Sequence, residues 1–377
     1  MKITSVRTFP VFYGTRNYLF VKLETDEGIY GVGEFGLTWK EKAGIGAIEH
    51  MVAHLVGEDP LNTEKIWQEI FRGDFFPGGR INMAAQSAID IALWDIKGKA
   101  LGQPVYMLLG GRLRDLVECY TGVGGDTPEK AARAGQERVA EGWRYLRLGV
   151  FDRDGILDPG TAVRDAVEQF QAVREAVGPE IEICIDVHTR LDPPDTIRLG
   201  RKLEPYDPFF IEDPLRCENP QSYRNVRHHI SSPLAIGEHY ATKWEFRTVI
   251  EEELTDYARI DLCIVGGLTE ARKIANWCET HYIKIVPHNP LGPVSAAACL
   301  HLDLATDNFA VQEGGLVGRP VLEDVFPVQV PYESGCMLPP ERPGLGVEFD
   351  SEAAEKHPYQ EVRSPRLRRR DGSFTNW

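Results

Sequence analysis

Residues 181–188 read IEICIDVH, an apolar run that ends in Asp186 with a histidine two residues on. A short run of this kind, rich in β-branched residues, predicts a buried strand. The pattern returns along the chain: PFFIE ends in Glu212, PLAIGE in Glu238, YARID in Asp261, KIVPH in His288 and FAVQE in Glu313. The intervals are 26, 26, 23, 27 and 25 residues, close to one strand–helix unit each. Amphipathic stretches fill them. In the helix predicted over 161–177, Thr161 can cap the start and Val163, Ala166, Val167, Phe170, Val173 and Val177 form a buried stripe. Gly178-Pro179 ends it. Strands alternating with helices predict a parallel array, here an α/β fold with a modified (β/α)8 barrel. Strand ends in such a barrel open on one mouth, where active sites sit. Six acidic or imidazole groups are therefore expected to converge there.

The barrel is expected over 116–325. Residues 1–115 read as an α+β capping domain, because 3–11 and 17–34 alternate like strands around an Asp26-Glu27-Gly28 turn. In the helical pattern of 84–100, Ala85, Ala88, Ile89, Ala92 and Ile96 share one face. Residues 326–377 are expected to pack back on the capping domain, their arginines (Arg366, Arg368, Arg369, Arg370) lying in a solvated tail or an interdomain contact. A length of 377 residues suits a barrel of about 250 residues plus a second unit.

Composition narrows the partners. A net charge of −15 argues against nucleic acid and anionic membranes. No apolar run reaches the roughly 20 residues that cross a bilayer. The opening MKITSVRTFPVF alternates like a strand rather than a signal peptide. Seven cysteines without a C-x-x-C pair read as reduced thiols, which suits a cytoplasmic protein.

Asp186, Glu212 and Glu238 stand on three consecutive strands. Hard oxygen ligands with no cysteine in reach select Mg²⁺, with Mn²⁺ as the alternative, although strand-end acids can also cap neighbouring helices. Side chains two apart on a strand share a face, so His188 is expected beside Asp186, as a general acid or a structural histidine. Asp261 can orient His288 as a base, and Glu313 can stabilise negative charge on a substrate. Three metal carboxylates, a base and an acid form a set suited to removing a proton beside a carboxylate and expelling a β-hydroxyl. Gly31, Gly33 and Gly36 match a dinucleotide-binding spacing, but they close a hairpin instead of opening a βαβ unit, which disfavours an NAD oxidoreductase.

Several stretches carry a resemblance: GIYGVGE (28–34), ALWDIKGKALGQPVYMLLGG (92–111), IEDP (211–214), PHNPLGPVSAAACLH (287–301) and PGLGVEFD (343–350). With the strand-end residues, they resemble the mandelate racemase subgroup of the enolase superfamily nearly end to end. PHNPLGPVSAAACLH is similar to the D-galactonate dehydratases, and DGSFTNW (371–377) to the D-mannonate dehydratases. The resemblance implies Asp186, Glu212 and Glu238 as Mg²⁺ ligands, His288 with Asp261 as base, His188 as acid and Glu313 as stabiliser of the intermediate. Racemases of the subgroup carry Lys-x-Lys where this chain has Arg147-Leu148-Gly149, so the opposite-face base is missing and dehydration is expected. Arg147 then becomes a substrate-binding residue. Mannonate-type enzymes add a tyrosine after this strand, but 150–165 contains none, which favours His288. The expected activity is that of an aldonate dehydratase making a 2-keto-3-deoxy acid, most like D-galactonate dehydratase. D-Mannonate or D-gluconate dehydratases, an epimerase or racemase, and a non-catalytic relative are the alternatives. A sugar acid is the implied partner, and the family implies a homo-oligomer. Specificity is expected from the loops at Tyr13–Tyr18 and Asp74–Arg80.

Overall fold

The computed structural model describes residues 1–73, 75–314 and 321–377; Asp74, at the start of one loop expected to shape specificity, lies outside them. A three-stranded antiparallel sheet opens the chain: β1 (Ile3–Tyr13), β2 (Arg16–Thr25) and β3 (Tyr30–Phe35). Helices α1 (Glu41–Met51), α2 (Thr63–Gly73), α3 (Arg80–Ala100) and α4 (Val105–Leu108) follow. The apolar face expected on α3 is buried at Ala85, Ala88, Ile89, Ala92 and Ile96. It packs so closely on β3 that a Cβ on Gly31 would stand 2.0 Å from the Ala92 carbonyl oxygen, and one on Gly33 1.7 Å from that of Ala88. The glycine spacing thus serves sheet–helix contact, and no βαβ unit forms around it.

Eight parallel strands then close a barrel. They are β4 (Val117–Gly122), β5 (Tyr145–Gly149), β6 (Glu182–Asp186), β7 (Ile211–Glu212), β8 (Leu234–Ile236), β9 (Tyr257–Ala258), β10 (Lys284–Ile285) and β11 (Gln312–Glu313). β11 pairs with β4, and Ile285 bridges to Phe309, which joins the ends. Seven helices lie between the strands: α5 (Pro128–Ala140), α6 (Pro159–Val177), α7 (Pro193–Leu203), α8 (Tyr223–His229), α9 (Lys243–Glu251), α10 (Gly267–Glu279) and α11 (Pro293–Leu304). Helix α6 begins before Thr161, because Pro159 presets the helical φ of the first turn, and Thr161 Oγ donates to Asp158 at 2.6 Å instead of capping. Its end at Gly178, with φ +83°, agrees with the sequence.

A short hairpin, β12 (Tyr332–Glu333) and β13 (Cys336–Met337), lies antiparallel to β4, and α12 (Ser351–Ala354) follows. From there the chain crosses the capping sheet, where the Phe12 N–H donates to the His357 carbonyl and Asn17 donates to Gln360. It then reaches the barrel loops. Leu157 N–H donates to the Arg368 carbonyl, Arg370 pairs with Asp158 at 3.0 Å, and Asn376 donates to the Thr189 carbonyl at 3.0 Å. The seven cysteines are free, five of them buried. Among the described residues no helix is long and apolar enough to cross a membrane.

Candidate active site

The residues singled out in the sequence meet at the C-terminal ends of the barrel strands. His288 Nδ1 lies 2.7 Å from Asp261 Oδ2, which leaves Nε2 facing the mouth, 3.6 Å from Glu238. Arg147 reaches Asp186 and Glu313 at 3.3 Å and Glu212 at 3.5 Å. His188 Nδ1 is 3.5 Å from Asp186. That neighbour was expected, but for another reason: β6 ends at Asp186, and His188 has φ +55°, so a left-handed turn, not strand alternation, brings the ring back.

Other functional candidates escaped the sequence reading. Arg259 is fully buried at the centre, with Nη2 2.7 Å from both Glu212 and Glu313 and 3.6 Å from Glu238. Its signal was its place two residues before Asp261, where side chains on an extended chain share a face. Tyr120 adds a hydroxyl 3.5 Å from Glu212. Trp377 meets His188 edge-on, with centroids 5.0 Å apart, and Trp39 in the same way at 4.8 Å. His188 and Trp377 both line two cavities. The larger, of about 660 Å³, holds Glu238, His239 and His288 with Arg16, Trp39 and Arg80 from the capping domain. The smaller, of about 410 Å³, holds Arg147, Asp186 and Arg190. The 36–40 loop therefore joins the two loops expected to cover the mouth; no sequence motif marked it.

Burial and charge set the protonation of these groups. Burial would lower His288, but Glu238, Glu313 and the Asp261 hydrogen bond outweigh it and raise the imidazole to about 9. Against the same effect of burial, Asp186 holds His188 above the usual histidine range. Glu313 is ionised: Arg259, Arg147 and His288 overcome burial and bring it down to about 2. Burial pushes Glu212 up to about 8, with Asp186 and Glu313 adding to the rise against Arg259 and Arg147.

The convergence of acids bears on whether a divalent cation suits the site. Asp186, Glu212 and Glu238 offer only hard oxygen donors, and the buried Asp186 Oδ1 has no hydrogen-bond partner. Among the described residues, no three His, Cys, Asp or Glu side chains are already disposed as a metal cluster, and Arg147 and Arg259 lie between the acids. The donor chemistry and the unpartnered oxygen both fit a hard cation.

Residues 5–110 match the mandelate racemase/muconate lactonizing enzyme N-terminal domain, and residues 130–354 the enolase C-terminal domain-like family. The chain belongs to the enolase superfamily. Within it, the chain is 38% identical to a D-galactonate dehydratase of Ralstonia nicotianae, over 100% of both chains. It is 36% identical to a D-mannonate dehydratase of Caulobacter vibrioides, over 96% of each. Among solved structures, an enolase from Pantoea ananatis with bound D-gluconate and magnesium superposes with a TM-score of 0.92 at 31% identity, covering 99% of both chains. This enolase-superfamily chain is an enzyme whose relatives are dehydratases of sugar acids.

Proposed function

We propose that the protein is a Mg²⁺-dependent aldonate dehydratase that removes the C2 proton and expels the 3-hydroxyl, giving a 2-keto-3-deoxy acid. The observation that carries this reading is the His288–Asp261 pair at 2.7 Å, with Nε2 presented to a mouth that His188 also lines. Asp186, Glu212 and Glu238 would hold the cation. When bound, it supplies positive charge against the negative charge that develops as C2 loses its proton.

His288 Nε2 takes that proton while Asp261 holds Nδ1–H and keeps the ring oriented. The imidazole must be neutral to act. Glu238 is the strongest of the charges that hold it protonated, and neutralising that carboxylate frees Nε2. His188, held toward the imidazolium by Asp186, gives a proton to the departing hydroxyl. Arg147 and Glu313 face the same space, Arg147 as the cation for substrate oxygens and Glu313 as an ionised partner that fixes Arg259. The similarity to galactonate and mannonate dehydratases, and to the gluconate-bound neighbour, supports a monoacid sugar as substrate.

Position 149 is glycine and offers no second base there. A base on one face acts on one C2 configuration, and the likeness to D-galactonate dehydratases favours the 2R acids, such as D-galactonate. Screening aldonates and aldarates for 2-keto-3-deoxy products tests the reading. Turnover of 2S acids alone would show that His288 is not the base.

A further inference from the structure

The motif GIYGVGE ends in Glu34, and nothing in the chemistry above uses it. Glu34 belongs to the capping sheet yet is wholly buried against the barrel. One carboxylate oxygen accepts the Gly292 N–H at 2.7 Å and the other the Ser295 N–H at 2.9 Å. These N–H groups open α11, where unpaired donors and the helix dipole favour an anion. The loop that Glu34 holds, 288–292, begins with His288. Arg16, from β2, donates to the Pro290 carbonyl in the same loop. On the other side, Gly36 N–H donates to the Cys263 carbonyl at 3.0 Å, two residues after Asp261. There is no slack at the contact: a Cβ on Gly292 would stand 2.6 Å from Glu34 Oε1.

We propose that Glu34 is a positioning residue that seats the His288–Asp261 pair from the capping domain, so that the base takes its aim from the smaller unit. This rests on the reading of His288 as the base. Glu34 touches neither mouth cavity, and it acts through the 288–292 backbone. Burial lifts its carboxyl to about 7 against the pull of the two N–H groups and Arg16, so assays at pH 8 keep it charged.

The test uses Glu34→Gln and, from the other side of the contact, Gly292→Ala, which keeps every charge but displaces the carboxylate. Each is read by steady-state kinetics and by the low-field imidazole proton of His288, identified by its loss in His288→Asn. Both variants should shift or broaden that proton. Both should lower kcat by about 10²-fold, the cost typical of a misplaced catalytic group, with KM nearly unchanged. An unmoved proton in both folded variants overturns the proposal. A displaced proton with undiminished kcat keeps Glu34 as the seat of the pair and removes His288 from the base role.

Discussion

Two histidines face one mouth, and their partners divide the work. Asp261 takes Nδ1 of His288 at 2.7 Å and leaves Nε2 for the substrate. Asp186 holds His188 near the imidazolium, the form that can give a proton. His288→Asn should therefore show neither dehydration nor exchange of the C2 hydrogen with deuterated solvent. His188→Asn leaves proton abstraction intact, so it should dehydrate about 10²–10⁴-fold more slowly, the usual contribution of general acid catalysis, while still exchanging C2 hydrogen. NMR of substrate recovered from D₂O reads both. Exchange by the His288 variant but not the His188 variant would reverse the assignment. At this scale much was legible: all eight residues named in the sequence lie at the mouth. Arg259 was not, because a buried arginine looks like any strand-end cation until its acidic neighbours are known.

At the scale of elements, docking rests on buried polar side chains that carry no periodic signal. Asp90, on the side of α3 turned to α10 and away from the face that packs on β3, accepts from the Thr269 N–H at 3.0 Å and its hydroxyl at 2.5 Å in the first turn of α10. Asp95, one turn on, accepts from Val32 and Leu345 N–H groups and from Lys99. Burial raises Asp90 from 3.8 to about 7, against the Thr269 hydrogen bonds. A raised folded-state pKa means that the folded protein holds a proton the unfolded chain has released. The stability this group contributes is full below 3.8 and is lost as pH rises through about 7. Asp90→Asn keeps an acceptor but cannot titrate, so denaturant midpoints measured across that window should fall less steeply with pH than those of the parent. Parallel slopes would show that Asp90 is not the group responsible. The helix itself was readable from its small-residue face, whereas its partner was not, because Thr269 lies 179 residues away.

Across the whole molecule, the barrel gathers acidic groups at its mouth. Six carboxylates (Asp186, Glu212, Asp213, Glu238, Asp261 and Glu313) are buried or nearly so around Arg147 and Arg259. A cation that binds only the folded state should raise the melting temperature, and a hundredfold excess over Kd corresponds to about 2.7 kcal/mol. Mg²⁺ should restore turnover to chelated enzyme, and Asp186→Asn should lose both the thermal shift and the activity. Full turnover in excess chelator, after verified metal removal, would take the metal out of the reaction. The barrel, its period and eight of its mouth residues could be read from the sequence alone, because a strand–helix repeat of about 25 residues admits few closed arrangements and strand-end side chains are placed by that closure. Tertiary structure alone decided which charges neighbour which, that a left-handed turn aims His188, that Trp377 walls the mouth, and that Glu34 reaches across from the capping sheet. Those contacts join residues up to hundreds of positions apart, and local pattern carries no record of such pairings.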